Sequence, residues 1–297
     1  GPENAAELED AAELVVDELD RTGAWDRDVL VVATPTGNGR ISPAAIEALE
    51  LMHSGDTATA ALQYTSIGSW LSFVADRNTA PEAGQALFEA VYATWSELPE
   101  SDRPRLLVFG ESLGSYGGQG AFSGLQDMVA RTDGALWVAT PIFTDIRREL
   151  TLDRDSGSLE RSPVYDEGRQ VRWDAGNGDE TDLWALGPEW EHPRVVYLQH
   201  PSDGVVWWTS DLLFHEPDWL REANGPDVRP GLQWLPVVTY WLTTLDIMVA
   251  AEVPAGYGHV YLLEYVDAWA AIAAPAGWDD DAAELLRELL MEKHGDR

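Results

Sequence analysis

The most constraining feature of the sequence is a serine between two glycines at the junction of a β-run and a helical stretch. The β-run 105–109 leads directly into Gly110-Glu111-Ser112-Leu113-Gly114, and a helical pattern follows over 113–132. Glycines two residues before and after a serine permit a tight strand-to-helix turn that exposes the hydroxyl at its apex. A plain turn with a capping serine is the alternative. The flanking strand and helix favour Ser112 as a nucleophile.

Short β-runs alternate with longer helical stretches along the rest of the chain. This alternation predicts an α/β fold with a mainly parallel sheet and helices on both faces. We expect a single domain over residues 3–297, because the length suits one large core. Residues 141–190 are rich in Asp, Arg and Gly. We interpret them as an excursion with a hairpin near 170–173 that acts as a lid.

The chain is strongly acidic, with 52 Asp and Glu against 19 Lys and Arg and a formal net charge of −33. Such a surface repels phosphate backbones, so we expect no nucleic-acid partner. The one lysine is Lys293, and arginine supplies nearly all the positive charge. This pattern suits a halophilic protein, in which concentrated salt screens the self-repulsion. An ordinary acidic protein from a GC-rich genome is the alternative.

Metal and cofactor chemistry have little support in the sequence. The absence of cysteine excludes thiolate ligands and a cysteine nucleophile, and no paired histidines occur at helical spacing. Gly37-x-Gly39 follows a β-run but lacks the rest of a dinucleotide fingerprint, and no Walker lysine is present. The acidic run 279–281 is more typical of a solvated helix start than of a calcium site. We expect no metal and no cofactor.

The two ends carry little information about the parent protein. Gly1-Pro2 is typical of the residues left after removal of a tag. The sequence has no long uncharged apolar run and no basic-apolar leader, so we predict that this piece neither spans a membrane nor carries a signal peptide.

A serine nucleophile needs a general base and an acid that orients it, and one known chain order is serine, acid, histidine. Asp203 follows the β-run 194–199 in a Pro- and Gly-containing turn, and it is our predicted acid, with Asp211 as the fallback. His259 lies in a glycine-rich loop about 56 residues later and is the predicted base. His200 is the rival base, because it shares the loop of Asp203.

The oxyanion hole is expected to combine backbone N–H groups from two loops. The N–H of Leu113, directly after the serine, is one candidate, and Thr36 or Gly37, after an early β-run, supplies the other. We interpret Glu111 as a buried neighbour that hydrogen-bonds to this loop, in preference to a second catalytic carboxylate.

Longer motifs resemble a particular family. They are residues 108–115 (VFGESLGS), 121–125 (AFSGL), 134–137 (GALW), 197–203 (YLQHPSD) and 217–220 (PDWL). They resemble a poorly characterised family of actinobacterial and archaeal proteins in which a multi-pass membrane region precedes an α/β-hydrolase domain. The resemblance covers residues 24–278.

This resemblance implies an α/β-hydrolase fold, a triad of Ser112, Asp203 and His259, and a parent protein that is anchored in the membrane. It implies no substrate. Family members often have proline where Gly204 stands. The pattern of β-runs predicts a reduced sheet that lacks the first two strands of the full fold, and no clear strand precedes the histidine.

Aromatic residues concentrate near the predicted site, and we expect Trp70, Trp207, Trp208 and Trp241 to line a substrate pocket. Core filling is the alternative. Trp207 and Trp208 are adjacent, so only one of them can face a pocket in an extended segment. An apolar cleft points to an esterase or lipase that acts on a lipidic acyl ester. An acyltransferase with the same triad and a non-catalytic sensor or scaffold domain are the alternatives. The oligomeric state is not predicted.

Overall fold

The computed structural model describes residues 5–36, 39–65, 78–176 and 183–295. Two predicted site residues, Gly37 and Trp70, lie outside these ranges.

Six parallel strands form the sheet, in the spatial order β2-β1-β3-β4-β6-β5. Strand β1 is buried at every position, as expected of a parallel strand that is covered on both faces. The predicted α/β fold with a parallel sheet is therefore confirmed. No strand precedes β1 in the described part of the chain, which agrees with the reduced sheet. The strands are β1 (Val29–Thr34), β2 (Thr57–Ala61), β3 (Arg105–Glu111), β4 (Gly134–Val138), β5 (Val171–Asp174) and β6 (Arg194–Leu198).

Helices cover both faces of this sheet. Local capping sets several of their starts: Ser42 accepts the N–H of Ala45 at one helix, and Asp279 accepts that of Ala282 at another. None of the described helices is long and apolar enough to cross a membrane. They are α1 (Ala5–Thr22), α2 (Pro43–Met52), α3 (Thr79–Glu97), α4 (Leu113–Gln119), α5 (Leu125–Arg131), α6 (Asp145–Leu152), α7 (Gly204–Trp207), α8 (Asp218–Arg221), α9 (Val238–Val249), α10 (Glu264–Ala273) and α11 (Asp280–His294).

The hydrophobic core has two layers, one on each face of the sheet. Helices α2, α10 and α11 cover one face, and α1, α3, α4, α5 and α6 cover the other. Alternate residues of β1 enter the two layers: Val31 packs in the first and Val32 in the second. The sheet is thus fixed from both sides, and loops at the carboxyl ends of its strands are free to carry functional groups.

Two elements differ from the prediction. The single helix expected over 113–132 is broken into α4 and α5, because a glycine-rich stretch ends α4 near Gly120. The hairpin expected near 170–173 is wrong. These residues form β5, an edge strand parallel to β6, because the local β pattern contains no information about the partner strand. In this excursion, Arg172 is buried and donates to the carbonyl oxygens of Gly168, Leu183 and Pro188. The lid role of 141–190 stays a prediction.

Candidate active site

Ser112 lies at the sharp turn between β3 and α4. Its backbone has φ 58° and ψ −122°, a conformation that costs a non-glycine residue of order 1–3 kcal/mol. The turn is possible only because its glycines lack side chains: a Cβ at Gly110 would overlap the carbonyl oxygen of Gly114, and one at Gly114 would overlap that of Thr34. The Ser112 N–H donates to the carbonyl of Val138, at 2.9 Å. The strained turn therefore holds the serine at the carboxyl edge of the sheet.

Asp203 follows β6 at the same edge and is fully buried. Its Oδ1 accepts the N–H of Val205, at 2.9 Å, which starts α7. Its Oδ2 accepts two side-chain donors, Nδ1 of His259 at 2.8 Å and the hydroxyl of Tyr261 at 3.0 Å. The fallback acid, Asp211, is instead exposed in a short 3-10 turn.

His259 lies on the loop between α9 and α10, and its side chain is 17% exposed. The backbone N–H of His259 donates to the carbonyl of Ala250, at the end of α9. The preceding Gly258 donates its N–H to the Ser202 hydroxyl, at 2.9 Å, which ties the loop to that of Asp203. As the prediction had it, no strand directly precedes this histidine in the described residues.

The contact between Asp203 and His259 lowers the pKa of the acid and raises that of the histidine. Burial acts to raise the pKa of Asp203, but the charge and the hydrogen bond of His259 lower it overall. Burial acts to lower the pKa of His259, but the carboxylates of Asp203 and Glu111 raise it to about 9. An ionised acid that stabilises an imidazolium is the arrangement that a general base requires.

The described residues contain no hydrogen bond between the Ser112 hydroxyl and His259, and Nε2 of His259 has no partner among them. Glu111 directly precedes the serine, and its carboxylate interacts electrostatically with His259. Catalytic hydrogen bonds are often long without substrate and tighten when it binds.

Glu111 is held from the α10 side, where the Tyr265 hydroxyl donates to its Oε2 at 2.8 Å. Burial raises the pKa of this carboxyl, and the nearby Asp203 adds to the rise. Glu111 is thus held between the turn and α10.

His200 is unsuited to act as the base, because both of its ring nitrogens are occupied. Nδ1 lies 2.8 Å from the Gly258 carbonyl, and Nε2 lies 2.9 Å from Oε1 of Glu264. The ring is 1% exposed and stacks on Tyr261 with 4.0 Å between ring centroids. A carbonyl only accepts hydrogen bonds, and Glu264 also accepts the N–H of Leu262 as a carboxylate. His200 is therefore an imidazolium that donates at both nitrogens.

The pKa values agree with this ion pair. Burial acts to lower the pKa of His200, but its hydrogen bond and Coulomb attraction to Glu264 raise it overall. Sequence reasoning missed Tyr261 and Glu264, which lie in the apolar stretch after His259 and resemble the start of a core helix.

The predicted oxyanion donors have different surroundings. The N–H of Leu113 opens α4 and donates to no acceptor among the described residues. The N–H of Thr36 donates to the carbonyl of Arg40, at 2.9 Å, so it is occupied inside its own turn. Gly37 is outside the described ranges, and the second donor stays a prediction.

The predicted pocket tryptophans separate into core and surface. Trp207 is 2% exposed, donates to the His200 carbonyl and packs on one face of the sheet. Trp208 is also buried, but it packs on the other face and donates to Thr244. The two rings thus point in opposite directions as expected, but both fill the core. Trp241, on α9, is 57% exposed.

Metal ligation finds no support in the described ranges, where no group of three or more His, Asp or Glu residues is arranged to hold an ion. The buried charges at the site are instead paired with each other, as in Asp203 with His259 and Glu264 with His200.

Comparisons with known proteins place the chain in a family. No curated protein matches the sequence significantly. Among solved structures, an acetylxylan esterase matches with a TM-score of 0.36 and 13% identity, over 60% of this chain and 84% of its own. An iodinated complex of acetylxylan esterase gives 0.36 and 13%, over 62% and 87%. An esterase from Aspergillus oryzae gives 0.28 and 12%, over 91% of this chain and 55% of its own. These likenesses are too weak to carry an argument about substrate.

A sequence profile described as an alpha/beta-hydrolase family, in contrast, matches residues 1–286. This match covers nearly the whole chain, and it agrees with the parallel sheet and with the strand-turn-helix that carries Ser112. The chain belongs to this alpha/beta-hydrolase family.

Proposed function

We propose that the protein is a serine hydrolase that cleaves acyl esters, with Ser112 as nucleophile, His259 as general base and Asp203 as the orienting acid. The observation that carries the proposal is the hydrogen bond from His259 to the buried Asp203 at the sheet edge where the strained turn presents Ser112. Each group matches its role: the acid is ionised, and the base has a free Nε2 among the described residues.

In this mechanism, the Ser112 oxygen attacks the ester carbonyl while its proton moves to Nε2 of His259. The tetrahedral intermediate collapses, the bond to the leaving alcohol breaks, and the alcohol takes the proton from His259. Asp203 keeps the imidazole oriented through Nδ1 and stabilises its charge. The N–H of Leu113 is one proposed donor to the oxyanion. Water or another alcohol then gives its proton to His259 and attacks the acyl carbon; the bond from that carbon to the Ser112 oxygen breaks, and the serine takes the proton back from His259.

A lipidic acyl ester is the proposed substrate class. Support comes from the surface beside the site, where Trp241, Leu242 and Leu245 of α9 are exposed although the protein as a whole is strongly charged. The membrane-bound parent protein implied by the motif resemblance fits such a substrate.

A fluorophosphonate probe tests the nucleophile directly. We expect the folded wild type to be labelled, and we expect Ser112→Ala to abolish labelling while Ser115→Ala, one residue beyond the turn's second glycine, keeps the adduct at Ser112. Asp203→Asn is expected to slow labelling strongly, because it favours the wrong imidazole tautomer. Absence of labelling of the wild type, at both low and molar salt, refutes the hydrolase and favours a non-catalytic sensor or scaffold domain.

The acceptor decides between hydrolysis and transfer. With a short-chain p-nitrophenyl ester and a range of added alcohols, water as acceptor gives only the free acid, whereas an acyltransferase gives the new ester in preference to the acid. A series of acyl chain lengths in the same assay tests the lipidic substrate.

A further inference from the structure

The exposed side of α9 carries several large apolar side chains beside the candidate site. Trp241 is 57% exposed, Leu245 56% and Met248 66%. We define the apolar face as the exposed side chains of Val238, Trp241, Leu242, Leu245 and Met248 of α9, with that of Leu235 just before the helix. Contiguous exposed apolar side chains on a soluble domain mark an interaction site.

The other side of α9 fixes this face next to the candidate active site. Thr239 and Thr243 are buried, and Trp208 donates to the hydroxyl of Thr244 at 2.8 Å. The helix packs over α7, which starts directly after the acid Asp203. Its C-terminal end accepts the N–H of His259 through the carbonyl of Ala250. One helix therefore has an apolar outer side and an inner side that contacts both loops of the candidate triad.

The charged residues around the apolar face, and the net charge of the chain, limit which kinds of partner can bind this face. Asp246 is the only charged residue over 230–251, in a chain of which 24% is charged. It lies on the side of α9 that approaches Gly204, and burial raises the pKa of its carboxyl. No lysine or arginine is present in this stretch to attract anionic headgroups. The net charge of −33 also makes two copies of the chain repel each other.

We propose that the apolar face of α9 docks the protein on a lipid surface of neutral or zwitterionic headgroups. A protein of this charge is repelled by anionic lipids and by its own copies, so burial of uncharged side chains in the headgroup region supplies the attraction. Trp241 suits the boundary between apolar and wet layers, where tryptophan is enriched. Docking itself is independent of catalysis; that it delivers an acyl ester to Ser112 rests on the proposed function.

The test uses phosphatidylcholine vesicles and the full chain. We expect the wild type to float with the vesicles, and we expect Leu245→Asp to weaken the apparent Kd at least tenfold. Leu14→Asp is the matched control, because Leu14 is 67% exposed on α1, which packs beside β2 at the opposite end of the sheet. It is expected to bind as the wild type does. The thermal unfolding midpoint of each variant shows whether it is folded.

A site-specific probe gives a second readout, because the chain has no cysteine and one introduced thiol labels cleanly. An environment-sensitive dye at Leu245→Cys is expected to shift to the blue with phosphatidylcholine vesicles, whereas the same dye at Leu14→Cys is not.

Three results overturn the proposal. They are absence of vesicle binding by the folded wild type at low and molar salt, equal loss in Leu245→Asp and Leu14→Asp, and a self-association in analytical ultracentrifugation that Leu245→Asp abolishes while vesicles do not bind. The last result assigns the face to a second copy. Fluorophosphonate labelling of the wild type is measured in parallel. Binding without labelling refutes the proposed hydrolase and leaves the docking surface intact.

Discussion

His200 permits a test in which stability and activity are expected to move in opposite directions. Its Nδ1 donates to the carbonyl of Gly258 in the His259 loop, and its Nε2 donates to Glu264 in α10. An asparagine amide places its nitrogen near the position of Nδ1, and a glutamine amide near that of Nε2. His200→Asn therefore keeps the bond to the loop, and His200→Gln keeps the bond to Glu264.

The structure sets the expected loss of stability. His200→Asn leaves the mostly buried Glu264 carboxylate without its side-chain donor; such an uncompensated charge costs about 3–5 kcal/mol, reduced here because Leu262 still donates to the other oxygen. His200→Gln leaves only the neutral Gly258 carbonyl unpaired, at about 1–3 kcal/mol. Both variants lose the positive charge of the His200 ring, so the cost of that loss cancels when the two variants are compared. We expect the free energy of unfolding in urea to be lower for His200→Asn by about 1–2 kcal/mol.

The expected order of activity is the reverse. In His200→Gln, the loop that carries His259 loses its hydrogen bond from residue 200 to the Gly258 carbonyl, one residue before the candidate base. It keeps its bonds to Ser202 and Ala250. A shift of about 1 Å at a reacting group costs up to roughly a hundredfold in rate. Relative to the wild type, we expect the rate of fluorophosphonate labelling to fall by about tenfold or more in His200→Gln and by less than about threefold in His200→Asn.

The order of activity is measured by single-turnover labelling in buffer, and the order of stability is measured separately by unfolding in urea. The control pair is His53→Asn and His53→Gln, because His53 is buried at the opposite edge of the sheet, where its Nε2 lies 3.0 Å from the carbonyl of Ala273. These variants are expected to lose stability with little change in labelling rate. If His200→Asn is both the less stable and the slower variant, His200 acts through stability alone and the positioning argument is wrong.

Three further predictions address the Ser112 turn, the candidate base and the candidate acid. Gly114→Ala is expected to lower the free energy of unfolding by about 3 kcal/mol or more, because the new Cβ would overlap a backbone carbonyl of β1. The control is Gly124→Ala, whose Cβ would meet nothing within 4 Å. Equal losses of stability in the two variants would contradict this reasoning. Because the pKa of His259 is raised from 6.5 to about 9, the labelling rate is expected to rise with pH and level off above about 9. The matching contribution to stability is present below pH 6.5 and is lost as pH rises through about 9, so a flat wild-type pH profile of both quantities argues against the pair. Tyr261→Phe removes one of the two side-chain donors to Oδ2 of Asp203 and leaves the buried N–H of His200 without its acceptor. It is expected to slow labelling about threefold to tenfold and to lower the free energy of unfolding by about 1–3 kcal/mol; an unchanged labelling rate would show that the hydroxyl is dispensable.

The strand-turn-helix around Ser112 could be predicted because its requirements are local. A glycine two residues to each side, an apolar run before and a helical pattern after are all visible in the sequence. The parallel class of the sheet was predictable for the same reason, since strands buried on both faces differ in pattern from those buried on one. The position of β5 was not predictable, because strand pairing joins residues far apart in the chain.

The surroundings of the candidate triad show the same limit. The interpretation of Trp207 and Trp208 as pocket residues rested on composition, whereas their burial on opposite faces depends on how α9 and the sheet pack. Tyr261 and Glu264 went unrecognised because an apolar stretch with isolated polar residues is typical of a core helix. Their contacts with the candidate site appear only once β6 brings His200 beside them.

The choice between the two histidines depends on which nitrogen atoms are free, and this is a property of the packed structure. His200 is the more deeply buried, and both of its nitrogens already donate, so it has no lone pair with which to accept the proton of Ser112. His259 has one nitrogen bound to Asp203 and the other without a partner among the described residues. Two carboxylates at one sheet edge thus place two imidazoles differently: Glu264 pairs with His200, whose second nitrogen holds the loop, and Asp203 orients His259, whose second nitrogen is left to exchange a proton. A chain order of serine, acid and histidine is compatible with either assignment of the base until these contacts are known.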